Sequence, residues 1–119
     1  MPGSSSAAII PLAPRRTRLA DHLKAFLTKL TVDGRSKHTI SAYRRDLARV
    51  FDTLESLRPA LSIADVTPGL LDQALAAPAI VNTARGQRSA ASLHRLKAAV
   101  KAFFAWARDT GLVAEDPAR

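Results

Sequence analysis

The sequence predicts an all-α domain, a compact orthogonal bundle of three long helices and one short helix. Apolar residues recur at spacings of three and four along most of the chain, which is the period of an amphipathic helix. No stretch alternates with period two, and no Asn-Gly hairpin signal is present. The 23 alanines among the 119 residues also favour helix. A chain of this length is enough for one domain of ordinary size.

The helical pattern begins after an irregular leader. Residues 1–16 contain three prolines and a serine triplet without periodicity, so we expect a disordered leader ahead of a helical domain over residues 17–119. The first helix begins near Thr17, and Asp33-Gly34 ends it because glycine accepts the left-handed conformation just past a helix terminus. Its inward stripe is Leu19, Leu23, Phe26, Leu27 and Leu30.

The second and third helices have distinct start signals. Ser36 is the expected N-cap of the second helix, whose apolar stripe runs from Ile40 to Leu54, and Pro59 bounds its end. Thr67-Pro68 supplies an N-cap and a proline at the first position of the short third helix. Pro78 and the stretch to Gly86 are expected to form a connection.

The fourth helix is the longest stretch of regular pattern near the end of the chain. It is expected to run from about Ser89 to Thr110, with Gly111 as its stop. Its inward residues are Leu93, Leu96, Val100, Phe103, Phe104 and Ala107.

The charge distribution suggests a polyanionic partner. Lys and Arg number 18 against 10 Asp and Glu, giving a net charge of +8, and two basic blocks flank a slightly acidic middle. Arginine supplies 13 of the 18 basic residues, and arginine pairs bidentately with phosphates and guanine edges. This balance is typical of proteins that bind nucleic acid.

Several classes of protein are disfavoured by composition. Cysteine is absent, which excludes disulfide frameworks and thiolate metal sites and fits a cytoplasmic protein. No apolar run is long enough to span a bilayer, and the first fourteen residues lack the features of a secretory signal, so no membrane partner is expected.

The residue patterns of enzymes and metal sites are also missing. His22, His38 and His94 have no His or acidic partner at metal-ligand spacing on their own helices, so neither a metal nor another cofactor is expected. Every Asp and Glu is interpreted as a helix-surface or capping residue, and Tyr43 occupies an inward position, which favours a core tyrosine over a nucleophile. No catalytic residues are predicted.

The polar faces of the second and fourth helices carry the remaining information. On the second helix, His38, Ala42, Arg45 and Arg49 are spaced to form one outward stripe, and Lys37, Ser41 and Arg44 form the adjacent one. On the fourth helix, Arg88, Ser92 and Arg95 form an outward line, whereas His94, Lys97, Lys101 and Arg108 spread over the far side. Helix N-termini also offer free amides to phosphates.

Three segments resemble a known family in their order and spacing. They are Ser36-x-x-Thr39-x-x-x-Tyr43-Arg44-Arg45-Asp46-Leu47-x-x-x-Phe51; Ile63-Ala64-Asp65-Val66-Thr67; and Ser92-Leu93-x-Arg95 followed by Lys101-Ala102-Phe103-Phe104-Ala105-Trp106 and Gly111-Leu112-Val113-x-x-Asp116-Pro117-Ala118. From about Thr17 to Arg119 the chain resembles the N-terminal core-binding, SAM-like domain of tyrosine recombinases and phage integrases. Asp116 departs mildly from the asparagine usual there.

The resemblance implies a DNA-binding function. In this family the domain clamps one face of double-stranded DNA, its second and fourth helices address the major groove, and its first helix often meets neighbouring protomers. The resemblance points to His38, Thr39, Ser41, Arg45, Ser92, His94 and Arg95 as DNA-binding residues. The charge pattern adds Lys37, Arg44, Arg88, Lys97 and Lys101 as phosphate contacts.

The resemblance also bears on catalysis. The family's catalytic domain carries a His-x-x-Arg motif, which this chain lacks. We therefore expect an isolated, monomeric, non-enzymatic domain of a site-specific recombinase. One alternative is a helical protein–protein adaptor, which an exposed apolar patch on the first helix would favour. The other is a helix-turn-helix transcription regulator, which should show one recognition helix and a preference for an operator half-site.

Overall fold

Helices account for most of residues 18–119, which are the residues that the computed structural model describes. The predicted leader, residues 1–16, and Thr17 lie outside the described residues. The elements in chain order are α1 (Leu19–Val32), α2 (Lys37–Leu57), a 3₁₀ turn (Ile63–Asp65), α3 (Pro68–Leu75), α4 (Pro78–Val81), β1 (Asn82–Thr83), β2 (Gly86–Gln87) and α5 (Ala90–Asp109). The predicted all-α fold is confirmed, and the fourth predicted helix corresponds to α5.

Hydroxyl caps begin three of these helices, and two of them, Ser36 and Thr67, were predicted. Ser36 accepts a hydrogen bond from the Thr39 amide at 3.1 Å, and Thr67 accepts one from Leu70 at 3.1 Å. Ser89 likewise accepts from the amide three residues later at 3.1 Å. Each cap satisfies an amide that the first helical turn leaves without an intrahelical partner.

The helix α2 is the centre of the fold, because α1, α3, α4 and α5 all pack against it. Phe103 of α5 lies in the middle of the core, with ring centroids 5.4 Å from Phe26 of α1 and 4.9 Å from Phe51 of α2. Tyr43 is 9% exposed and belongs to this core, as predicted. The core therefore fixes α1 and α5 on α2 through aromatic contacts.

The connection between α3 and α5 is more structured than the sequence predicts. It contains the one-turn helix α4 and an antiparallel hairpin in which Asn82 pairs with Gln87 and Thr83 with Gly86. Strands of two residues are too short to produce a period-two pattern, so the hairpin leaves no periodic signal. Ile80 of α4 is fully buried and anchors this connection to the core.

Candidate nucleic-acid interface

An ion pair with a buried carboxylate joins the two helices that carry the predicted site. Asp46 of α2 accepts two hydrogen bonds from Arg95 of α5, Nε to Oδ2 at 2.8 Å and Nη2 to Oδ1 at 3.1 Å. The Asp46 side chain is only 5% exposed and that of Arg95 is 44% exposed. The hydrogen bond to Asp46 raises the pKa of the Arg95 guanidinium, which stays charged. The interpretation of every acidic residue as a surface or capping residue is therefore wrong for Asp46.

Arg88 forms a second link on the same side of α5. Its Nε donates to the Ile80 carbonyl at 2.6 Å and its Nη1 donates to Ser92 Oγ at 2.9 Å. The same Nη1 lies 4.0 Å from Asp46 Oδ1. The Arg88 side chain is 8% exposed, so the predicted outward orientation of Arg88 is wrong. Its guanidinium fastens the connection to the start of α5, and one carboxylate lies between two arginines.

The flank of α2 beside this ion pair carries part of the predicted site. His38, Ala42 and Asp46 follow one another at intervals of four residues and so share one side of the helix. His38 is exposed, whereas Ala42 is 8% exposed, so its predicted outward position is wrong. Arg45 is exposed, and its Nη1 donates to Ser41 Oγ at 2.9 Å. This hydrogen bond holds the Arg45 guanidinium toward the first turns of α2.

Two predicted hydroxyl residues are part of the local hydrogen bonding at the helix starts. The Ser36 hydroxyl donates to Thr39 Oγ1 at 3.0 Å, and Ser92 Oγ accepts from Arg88. Thr39 and Ser92 are half-buried, whereas Ser36 is exposed. A hydroxyl that accepts one hydrogen bond still has a proton to donate.

The remaining predicted cations lie on other surfaces. Arg44 lines a groove of about 440 Å³ between α1 and α2. Lys97 and Lys101 line a different groove, of about 290 Å³, against α3 and the end of the chain, where Asp72 also lies. Lys37 is exposed seven residues before Arg44, two turns earlier along the same side of α2. The structure thus links Arg88, Ser92 and Arg95 to the Asp46 flank of α2 and separates Arg44, Lys97 and Lys101 from it.

The chain from the end of α3 through most of α5 carries basic charges and no acidic ones. Residues 73–108 contain six Lys and Arg and no Asp or Glu. On this side Asp46 pairs with Arg95 of α5 and lies 4.0 Å from Arg88, which precedes α5. The flank formed by His38, Arg45, Arg49, Arg88, Ser92 and Arg95, hereafter the α2–α5 flank, therefore has more positive than negative charge. The hairpin Asn82–Gln87 adjoins its α5 end and was not predicted from the sequence.

The sequence of the chain matches a known protein family. The family described as phage integrase, N-terminal SAM-like domain, matches residues 23–111. The chain belongs to this family. The predicted resemblance is confirmed, and the matched range covers every helix of the described part except the first turn of α1.

Individual relatives agree with the family assignment. The chain is similar to tyrosine recombinase XerC of Mycobacterium sp. (strain JLS), with 39% identity over 97 residues that cover 81% of this chain and 31% of the relative. It is also similar to tyrosine recombinase XerC of Neisseria meningitidis serogroup B, with 32% identity over 99 residues that cover 83% of this chain and 31% of the relative. The chain thus spans about a third of the length of these recombinases. No solved structure matches the chain.

Within residues 18–119, there is no group of three or more His, Cys, Asp or Glu side chains that could hold a metal ion. None of the helices in the described part of the chain combines the length and the apolar character needed to cross a membrane.

Proposed function

We propose that this chain is the DNA-binding, core-binding domain of a tyrosine site-specific recombinase, and that it contacts duplex DNA through the α2–α5 flank. The proposed parent protein cuts and rejoins DNA with a catalytic domain that is separate from the residues described. The chain's own role is then to bind and orient the duplex in the cytoplasm, without catalysis.

One observation carries the proposal. The exposed face of α2 and the start of α5 are tied together by Asp46, and this single buried carboxylate lies among an excess of arginines. Coulombic attraction from the unbalanced cations favours a polyanion. Because the two helices are rigidly linked, a polyanion that contacts both helices at once is favoured.

The individual residues divide into two proposed roles. The first role is contact with the DNA groove that the two helices approach. It is assigned to Arg45 and Arg95, together with His38, Thr39, Ser41, Ser92 and His94. Lys37, Arg44, Lys97 and Lys101 lie on neighbouring surfaces outside this flank. We assign them to phosphates on either side of the contacted groove, which position the domain without reading sequence. Arg88 acts differently, because its buried guanidinium supports Ser92 and the start of α5.

A matched pair of arginine variants tests the location of the interface. Arg45→Ala removes a cation from the proposed surface, and Arg58→Ala removes one from the C-terminal end of α2, about 20 Å away at 1.5 Å per residue. Both arginines are exposed, and both variants lose one positive charge. Arg45→Ala is expected to weaken duplex binding by about 1–3 kcal/mol, as for one good bidentate contact, while Arg58→Ala changes little. Equal losses would indicate diffuse charge attraction and contradict the proposal.

An NMR titration with duplex DNA locates the surface independently of mutation. Amide shifts are expected to cluster at residues 36–45 and 88–101. Shifts concentrated on α1 would contradict the proposed interface and favour a protein-binding adaptor.

A second proposed contact is with another protein chain, through the groove between α1 and α2. Leu23, Leu27 and Ile40 line this groove, and Val32 at the end of α1 is 77% exposed. In the proposed recombinase assembly a neighbouring protomer occupies this surface. Crosslinking of α1 between protomers on DNA, and its absence without DNA, is the expected result.

A further inference from the structure

The hairpin Asn82–Gln87 is a polar projection with no apolar face. All six of its residues are exposed, and Asn82 lies opposite Gln87 in the strand register. Cross-strand partners place their side chains on the same face, so the two carboxamides share one face. Arg85 occupies the turn. The hairpin contributes no side chain to the hydrophobic core.

The turn of the hairpin is held in one conformation. The Arg85 amide donates to Thr83 Oγ1 at 3.2 Å, and the Thr83 hydroxyl donates to the Gly86 carbonyl at 3.1 Å. Gly86 has a φ of +115°, which a side-chain-bearing residue rarely adopts. These contacts fix the backbone around Arg85.

The root of the hairpin is fastened to the start of α5. A two-stranded hairpin is marginally stable alone, so it needs such support. The Arg88 amide donates to the Val81 carbonyl at 2.7 Å, and the Arg88 guanidinium donates to the Ile80 carbonyl at 2.6 Å. The same guanidinium binds Ser92 and lies 4.0 Å from Asp46. The hairpin and the α2–α5 flank are therefore connected through one buried side chain.

The position of Arg85 brings it beside the proposed DNA surface. It lies four residues before Ser89, the N-cap of α5, so their Cα atoms are at most about 14 Å apart. No carboxylate is present in the sequence from residue 73 to residue 108. An anion that approaches the start of α5 therefore meets no acidic side chain from the hairpin or from α5 before Asp109 at its last position.

From this arrangement we propose that the hairpin binds the phosphodiester backbone of the same duplex that the α2–α5 flank contacts. Arg85 pairs with a phosphate, and the carboxamides of Asn82 and Gln87 donate to neighbouring backbone oxygens. Arginine and amide side chains are common ligands of phosphate and sugar oxygens. This inference rests on the proposed DNA-binding function and adds to it a second contact, from an element outside the two helices.

The expected contribution follows from counterion release. One phosphate contact makes affinity vary as the −0.9 power of the salt concentration. Relative to 1 M salt, that contact strengthens binding by about eight-fold at 0.1 M salt. Because backbone contacts carry no sequence information, the hairpin is expected to contribute equally to binding of unrelated duplexes.

Fluorescence anisotropy with labelled duplex DNA over a range of KCl concentrations tests the inference. For Arg85→Ala we expect an affinity loss of about eight-fold at 0.1 M salt and a log–log salt slope that is shallower by about 0.9. Arg58→Ala is the charge-matched control and is expected to retain the wild-type slope. The loss is expected to be the same for two duplexes of unrelated sequence.

A second variant tests the preorganised turn without changing charge. Thr83→Val keeps a β-branched residue in β1 and removes both hydroxyl hydrogen bonds. We expect weaker duplex binding by about 2- to 10-fold, the equivalent of one net hydrogen bond, with an unchanged melting temperature.

The outcomes separate the two proposals. If wild type binds DNA and Arg45→Ala weakens binding, but Arg85→Ala and Thr83→Val match wild type, the hairpin inference alone is overturned. Equal effects of Arg85→Ala and Arg58→Ala also overturn it, because they indicate diffuse attraction. If wild type shows no salt-dependent duplex binding, the proposed function fails first and the hairpin inference fails with it.

Discussion

Replacing Asp46 with alanine should reveal how strongly the two central helices depend on their ion pair. The carboxylate is 5% exposed and accepts two charge-assisted hydrogen bonds from Arg95. Removing one partner of a buried pair costs about 3–5 kcal/mol, because the other charge stays without compensation. Arg95 is partly exposed and can turn toward water, whereas Arg88 is 8% exposed and cannot. We therefore expect a loss near the lower end, about 3 kcal/mol.

The assay is thermal or urea unfolding followed by circular dichroism. For a domain of about 100 residues, a loss of about 3 kcal/mol lowers Tm by roughly 12–24 °C. Asp52→Ala is the matched control, since Asp52 is an exposed carboxylate on the same helix, and it should change stability by less than about 0.5 kcal/mol. If Asp46→Ala and Asp52→Ala unfold at the same temperature, the assigned role of the buried pair is wrong.

A double-mutant cycle extends this test to the partner. Arg95→Ala alone leaves Asp46 buried with one guanidinium at 4.0 Å, so it should also destabilise the fold. Because the two residues are in direct contact, the double variant should cost clearly less than the sum of the single variants. Additive losses would contradict the pairing.

Two further predictions concern the core and the acid limit of stability. Phe104→Ala should lower the free energy of unfolding by about 3–5 kcal/mol, since the ring is fully buried and packs edge-on against Phe103 at 5.1 Å. Tyr43→Phe should lower it far less and leave DNA binding intact. Urea unfolding of both variants checks this, and loss of DNA binding by a folded Tyr43→Phe variant would contradict the assignment of Tyr43 to the core. The hydrogen bonds from Arg18 lower the pKa of Glu55 below its ordinary value of 4.5, so the stability they contribute is present above that pH and is lost as pH falls through the lowered pKa. Unfolding measured from neutral to acidic pH should therefore show a smaller decline for Glu55→Gln than for wild type, and identical profiles would contradict the assignment.

The helices were predictable because their signals are local. The apolar stripes, the N-caps Ser36, Thr67 and Ser89, and the terminating Gly34 all act within a few residues of the boundary they set. Capping and periodicity depend on the chain's immediate neighbourhood, so they can be recognised without knowledge of the tertiary structure.

The burial of Asp46 and the hairpin depend on contacts that the sequence does not reveal. Asp46 stands next to two arginines in the chain, which suggests a solvated charge cluster, but its partner Arg95 lies 49 residues further on. The hairpin forms because Arg88 holds its root to α4, and two-residue strands carry no pattern of their own. For the same reason the sequence placed Arg88 on the outside of the molecule.

The separation of the predicted cations has a simple geometric origin. Residues two positions apart on a helix point about 200° apart, so Arg95 and Lys97 cannot share a face. The sequence placed the candidate cations on α2 and α5, but it did not distinguish the side that faces Asp46 from the side that faces α3. The proposed DNA contacts of the individual residues stay predictions.

The salt dependence of duplex binding by the wild-type chain tests the central claim most directly. Anisotropy titrations of a labelled duplex of about 30 base pairs, from about 50 to 300 mM KCl, give the slope of log affinity against log salt. Contact with about six phosphates predicts a slope near −5, at about −0.9 for each phosphate. An affinity that stays flat over this range would contradict the account of this domain as an electrostatic clamp on DNA.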